Sequence, residues 1–465
     1  MARHTEHPAV DHDSSASSTR TIPNDEIVPR TLDDGEKQAA QDPEMSDVAK
    51  DLATAAEAVE GAPLDEFEEH PDGGLRAWLV VIGCAAGACA TFGLVNAWGV
   101  FQAFYTTSIL KGTSPSTIAW IGSIQYALVF IPGLVVGRIF DMGHVKLPLG
   151  LASALLVAAT FLTAQCTRYW QFLLCQGIAL GIACGVIFGV IMGCPAHWFR
   201  RKLGLALGIM ALGSSIGGTL YPIIVKNLMQ KVGFQWTMRV LGFIEIGLLA
   251  VQFLTVERRL PPRKRSGPFF DFTVFKSIPF SLYSFSSFLA FLGIYTVLTY
   301  IDVSAVSEGV PENFAFYLLA IANACSAVGR IVGGTLSDYT GPLNIMTPAT
   351  FLAGIMTYIW PFATSVGGNI GVAIVYGASS GVYVSLLAAP TVHMGRTEDV
   401  GVRVGMSMTL VALGAVAGPP ISGAINAATG GFKFTGVYAG TAVMAAVVFL
   451  IFTRISILGG LWGRC

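Results

Sequence analysis

The sequence predicts an all-α membrane protein of twelve transmembrane helices, arranged as two pseudo-symmetric six-helix bundles. Three observations predict it. First, the chain is 53% hydrophobic and 12% charged over 465 residues, with a mean hydropathy of +0.63; soluble domains carry about 25% charged residues. Second, beyond residue 75 the apolar residues gather into about twelve runs of roughly 20, the length that takes a helix across a bilayer's hydrocarbon core. No water reaches backbone amides there, so such runs must be helical. Third, motifs of the first half recur in the second at a nearly constant offset, as in a duplicated unit.

Residues 1–70 come first, with 18 acidic residues against 5 basic ones, a net charge of −13; residues 71–465 carry +12. This acidic segment has little hydrophobic periodicity and is expected to be a disordered tail. At most, Ser46 to Glu60 forms a transient helix capped by Ser46. Residues 1–30 hold no apolar core of the kind a cleavable signal needs, so the first span is expected to direct insertion. The N-terminal bundle, 71–257, is predicted to span at 76–104, 116–138, 146–166, 169–193, 203–228 and 236–256. A basic linker, 258–277, leads to the C-terminal bundle, 278–465. Its spans are predicted at 278–301, 313–337, 343–365, 368–391, 403–426 and 434–457. Sixteen of the 23 basic residues after residue 70 then fall on one side, six on the other, and Arg330 within a span. By the excess of Lys and Arg in cytoplasmic loops, both termini are placed in the cytoplasm of a multi-pass cell-membrane protein.

The repeats carry the first functional candidates. Gly137-Arg138-Ile139-Phe140-Asp141-Met142-Gly143 ends one span, and Gly334-Thr335-Leu336-Ser337-Asp338, with Gly341 beyond, ends another. The two aspartates are 197 residues apart. Gly213, Gly217, Gly218 and Pro222 are echoed by Gly414, Gly418, Pro419, Pro420 and Gly423 at an offset of 201. Small residues let helices approach closely, and prolines bend them. Arg138, Asp141, Gly143 and Asp338 are candidate gating residues. A carboxylate at a helix end can pair with basic residues and helix termini of the other half, and breaking those contacts favours the opposite-facing state. The alternative is a solvated charge that only marks topology.

Polar residues inside the spans are the second set. A guanidinium within a membrane helix is costly unless it faces a cavity or a partner, so Arg330 is the foremost site candidate. It can grip a carboxylate, sulfate or enolate through paired donors, or bond helix carbonyls structurally. Glu245 could carry a proton; the simpler reading is a neutral packing residue on a peripheral helix. Asn96, Gln102, Gln125, Tyr126, Gln176, Asn323 and Tyr383 could line a central cavity among apolar walls. His197, beside Arg200, Arg201 and Lys202, is expected at the cytoplasmic surface, where anionic lipids explain the basic cluster. Seven cysteines in or beside apolar runs show no CxxC pairing and read as packing residues. No phosphate-binding loop, dinucleotide fingerprint or clustered metal-ligand spacing occurs. The sequence therefore calls for no cofactor, no metal, no nucleic acid partner and no enzymatic activity.

These motifs resemble the major facilitator superfamily. Gly137–Gly143 followed by Lys146 looks like its loop signature between the second and third helices. Pro71-Asp72-Gly73-Gly74-Leu75-Arg76-Ala77-Trp78 resembles the opening signature of the monocarboxylate-transporter-like branch. Ala97-Trp98-Gly99-Val100-Phe101 and Trp198-Phe199-Arg200-Arg201-Lys202-Leu203-Gly204-Leu205-Ala206 are similar to stretches of the same branch. The resemblance covers about 70–457, and the acidic tail looks like those of filamentous-fungal members. It implies a secondary transporter working by alternating access on a small organic substrate in a lipid bilayer. Proton-coupled lactate carriers of the branch have a lysine where this chain aligns Asn96, and an aspartate one turn before the arginine, where it has Ser326. Two coupling groups are thus neutral while Arg330 remains, and Ser326 joins the substrate-binding candidates. That departure directs the expectation to efflux of a bulkier amphipathic fungal metabolite, anionic or polar, with proton coupling left open. The alternatives are uptake of a monocarboxylate or riboflavin-like nutrient, and a metabolite sensor that does not transport.

Overall fold

Polar loops and capping residues set where each helix begins. A computed structural model describes residues 71–260, 272–395, 400–459 and 463, apart from the side chains of 115, 116 and 313. The predicted tail 1–70 with its Ser46–Glu60 helix, the linker residues 261–271, Arg396 and Arg464 lie outside the described residues. Among the described residues, eleven helical segments are long and apolar enough to cross a membrane. They are α1 Leu75–Ile109, α2 Thr117–Asp141, α3 Lys146–Thr163, α4 Tyr169–His197, α5 Leu203–Thr255, α6 Ile278–Ser307, α7 Phe314–Thr340, α8 Pro342–Phe362, α9 Val366–His393, α10 Val400–Thr429 and α11 Phe432–Leu458. The chain is an all-α, multi-pass membrane protein. Ser114 caps the turn leading into α2, accepting from Thr117 N at 3.2 Å with Pro115 behind it. Ser365 does the same for α9 through Gly368 N at 3.0 Å. Both satisfy amide groups that the first helical turn leaves without partners.

The eleventh count hides one double element. At 53 residues α5 would extend about 80 Å, far beyond a bilayer core. Its backbone is non-helical at Gly233, with φ 75° and ψ 172°. Gly213 packs on the Ala85 carbonyl, while Thr255 packs on Gly83. Residues at both ends of α5 thus meet one short stretch of α1, and the chain reverses at Gly233.

Close helix approach follows the glycine pattern. Gly213 and Gly217 lie on the carbonyls of Ala85 and Cys89 in α1, and Gly414 and Gly418 on those of Phe288 and Leu292 in α6. The same two-glycine face serves the same purpose in both halves of the sequence, with the backbones too near for a side chain. The outer surface is apolar in the complementary way. Leu147, Leu151, Leu155 and Leu162 of α3 are exposed, as are Phe434, Val437, Val448 and Phe452 of α11. Faces of this kind are a liability in water and the natural surface in lipid.

Two spans break at matching places. In α1 the regular helix stops at Asn96, and in α6 it stops at Gly293 before resuming at Thr296. A break frees carbonyls that lipid cannot satisfy. Tyr376 of α9 donates its hydroxyl to the Ile294 carbonyl at the α6 break.

Candidate functional site

The two breaks border the same cavity. It is lined from α1 by Phe92 and Asn96, from α5 by Ser214, and from α6 by Ile294, Tyr295 and Leu298. The remaining walls are Ala322, Asn323, Ser326 and Arg330 of α7 with Ser380 and Val384 of α9. Of the predicted substrate-binding residues, Arg330, Asn96, Asn323 and Ser326 come together here. Asn96 donates to Phe92 O at 2.8 Å and Asn323 to Gly218 O at 3.3 Å. Tyr126 stands just behind the wall, edge-on to Tyr295 with ring centroids 5.2 Å apart. Gln125 lies away from the cavity, its backbone against Gly181 of α4. Gln176 is engaged elsewhere, accepting from the Tyr105 hydroxyl at 2.5 Å.

Arg330 divides its donors. Nε bonds Ser326 Oγ at 3.1 Å, and Nη1 reaches Ala211 O and Ser214 Oγ of α5. Nη2 has no hydrogen-bond partner among the described residues, although Arg330 is only 7% exposed. No carboxylate pairs with this buried cation among the described residues. A guanidinium in that position is suited to an anionic or strongly polar ligand atom. The cavity is about 30 Å³, room for a water molecule or two, whereas organic-ligand sites span roughly 300 Å³ or more. An organic ligand therefore needs the walls to part.

One end of the bundle is sealed by a reciprocal pair of contacts. The Asp141 carboxylate accepts from Gly401 N at 3.0 Å and Val402 N at 2.8 Å, the first amides of α10. The Asp338 carboxylate accepts from Gly204 N at 2.6 Å and Leu205 N at 3.0 Å, the first amides of α5. Asp141 and Asp338 are 197 residues apart, and so are Gly204 and Gly401. Each carboxylate thus sits on the positive end of a helix dipole, in the manner of an anion at a helix N-terminus. Gly401 lies on the Gly137 carbonyl, and Gly204 on that of Gly334, so bare backbones meet at both contacts. Gly143 and Gly341 follow the aspartates with φ of 92° and 97°, a region that favours glycine, and so turn the chain sharply. Arg138 is buried at this end, and Arg258 donates to the carbonyls of Phe140 and Asp141. Beside them Arg76 grips Glu257 with two donors, one at 2.6 Å from Nε to Oε1. That bond holds the Glu257 carboxyl below its ordinary range.

One expectation needs correction. His197 is wholly buried rather than at the surface, edge-on to Phe140 at 5.0 Å, with Nδ1 accepting from Leu260 N at 3.4 Å. The last turn of α4, Cys194–His197, is buried, and the Arg200, Arg201 and Lys202 that follow reach the exterior. Glu245 is fully buried and accepts from the Thr160 hydroxyl of the neighbouring helix at 2.8 Å. The sequence also did not single out Tyr295, Ser214 or Ser380 as lining residues. Only the helix break beside Gly293 could have pointed to Tyr295, and serines among small residues read equally as packing.

A solute could reach Arg330 only if the bundle opened, and a lipid-immersed fold with a buried polar cavity and a sealed end defines a membrane carrier. Residues 83–401 match the profile of the Major Facilitator Superfamily. The chain belongs to that family. It is 34% identical over 381 residues to the aspyridones efflux protein apdF of Emericella nidulans, covering 82% of this chain and 78% of that one. It is 36% identical over 400 residues to an MFS-type transporter of Gibberella moniliformis, covering 85% and 94%. The fold is similar to the human organic anion transporter MFSD10, with a TM-score of 0.64 at 16% identity over 81% of this chain and 98% of that one. It is equally similar to the E. coli fucose:proton symporter FucP, with a TM-score of 0.64 at 14% identity over 81% and 99%. The protein is a transport protein, not an enzyme: a secondary active transporter of a small organic molecule.

Proposed function

We propose that this transporter exports an amphipathic fungal metabolite with an anionic or enolate group across the cell membrane by alternating access. The observation that carries the reading is Arg330, buried between α5 and α7 with no carboxylate and no Nη2 partner among the described residues, on the wall of a cavity that Asn96 and Asn323 also line. A lactate carrier of the monocarboxylate branch that this chain resembles fills two of these positions with charge; here Asn96 and Ser326 leave the cation for the substrate. Two six-helix halves, twelve crossings when α5 counts as two, rock about the cavity. Both termini are cytoplasmic. The contacts of Asp141 and Asp338 form the cytoplasmic gate, and breaking them opens the cavity to the cytoplasm. The efflux role named for the Emericella nidulans relative supports the direction.

The test is flux in proteoliposomes containing the purified full chain, with an aspyridone and with lactate as probes, with and without a pH gradient. Aspyridone movement that is lost in Arg330→Ala supports the reading. Strong acid-driven lactate entry overturns it in favour of nutrient uptake. A signalling phenotype that survives in Arg330→Ala cells without flux points to a sensor.

A further inference from the structure

Glu245 is fully buried in the return half of α5, yet only one of its two carboxyl oxygens has a hydrogen-bond partner among the described residues. Oε2 accepts from the Thr160 hydroxyl of α3, and Oε1 has no protein partner among the described residues. The titratable groups of neighbouring elements near enough to interact electrostatically with it are the Cys184 thiol of α4 and the Tyr221 hydroxyl of the outgoing half of α5, and Cys89 of α1 interacts in the same way with Tyr221. None is a cation or a second carboxylate. The Tyr221 hydroxyl is itself buried and without a partner among the described residues. An ionised carboxylate in such a place is costly unless donors converge on it, whereas the neutral acid is tolerated. The Tyr221 ring lies on Gly93 of α1, one turn before Asn96, and Gly218, one turn before Tyr221, lies against the amides of Asn96 and Asn323. Tyr221 therefore packs directly against the stretch of α1 that carries the cavity wall.

We propose that Glu245 is a proton site of the transporter, exchanging its proton with the central cavity past Tyr221 and so coupling substrate movement to a proton gradient. The inference rests on the transporter reading and adds to it the place where the proton is held. The step moves one proton and no electrons. The Glu245 O–H bond breaks, the proton passes to water in the cavity, and the carboxylate left behind takes donors from the Thr160 and Tyr221 hydroxyls. Reprotonation from the opposite side resets the site.

Two measurements on the full chain in proteoliposomes test it. Infrared difference spectra of the wild type should show a protonated-carboxyl band that weakens as the pH is raised over the range in which the chain stays folded, and that is missing in Glu245→Gln. A band unchanged in Glu245→Gln, or constant across that range, overturns the proposal without reference to any substrate. For flux the probe is an aspyridone. One coupled proton supports up to about tenfold accumulation per pH unit. Glu245→Gln should lose that accumulation while keeping counterflow exchange, and Glu245→Asp should restore part of it. Accumulation intact in Glu245→Gln overturns the proposal. If exchange falls as well while the melting curve stays wild-type, Glu245 serves the rocking motion and the proposal also fails. If the wild type moves no aspyridone, the substrate reading fails and the infrared result alone decides the proton site.

Discussion

At Arg330 a single side chain carries two tasks. Nε and Nη1 tie α7 to itself and to α5, and Nη2 is left for the cavity. Lysine cannot replace that fork, because an ammonium is a point charge on a flexible stem. Arg330→Lys should fold but lose a charge-assisted contact worth about 1.5–3 kcal/mol, roughly ten- to a hundredfold in flux at low substrate. Proteoliposome uptake kinetics check this, and near-wild-type flux in the lysine variant would remove Arg330 from the site. A smaller residue-scale effect belongs to the Arg76–Glu257 pair. Because the Glu257 carboxyl is held below its unfolded value, its contribution is full above about pH 4.3 and lost as pH falls through the folded value. Melting curves from about pH 6 down to about pH 3 should fall more steeply for wild type than for Glu257→Gln. The difference is small, since partly exposed ion pairs contribute about 0–1 kcal/mol.

At the scale of elements, the spans were legible and their interruptions were not. Observed ends differ from the predicted ones by six residues at most, because length and hydropathy are local properties of the chain. Where a helix breaks depends on which neighbour can take the freed carbonyl, as Tyr376 does for Ile294. Gly233 is the exception, a break that its backbone angles make obligatory: φ 75° with ψ 172° is a region open to essentially glycine alone. Nothing crowds the place where a Cβ would stand, so the cost of Gly233→Ala is conformational only. It should lower stability by about 1–3 kcal/mol, read from thermal melting in detergent. An unchanged melting temperature would show that the reversal at Gly233 is not held in this conformation.

At the scale of the whole molecule, the reciprocal contacts of Asp141 with α10 and Asp338 with α5 are the main tie at the sealed end. Each pairs a carboxylate from one half of the sequence with a helix start in the other. Replacing either aspartate by asparagine keeps the shape and removes the charge that the helix dipole favours. Each change should cost the closed state about 1–2 kcal/mol, a five- to thirtyfold shift of the balance between closed and open. A cysteine introduced at the cavity residue Ser380 should then react faster with a membrane-impermeant reagent added from that end. The double variant Asp141→Asn with Asp338→Asn should exceed either single change. Equal labelling in all four proteins would leave the pair without a gating role.

The sequence by itself determined the apolar helices, their approximate ends, the repeated Gly-Asp motifs and the identity of the cation that borders the cavity. Those follow from hydropathy, spacing and the cost of burying a charge, all of which act along the chain. Only the tertiary structure decided that the two aspartates serve each other's halves, that the Gln125 backbone packs on α4 while Tyr295 borders the cavity, and that His197 and Glu245 are enclosed. The reason is geometric: a polar residue in a membrane helix can point to lipid, to a neighbour or to the cavity. Hydropathy treats the three alike, and the direction is fixed when backbones close at glycines such as Gly137, Gly401, Gly204 and Gly334.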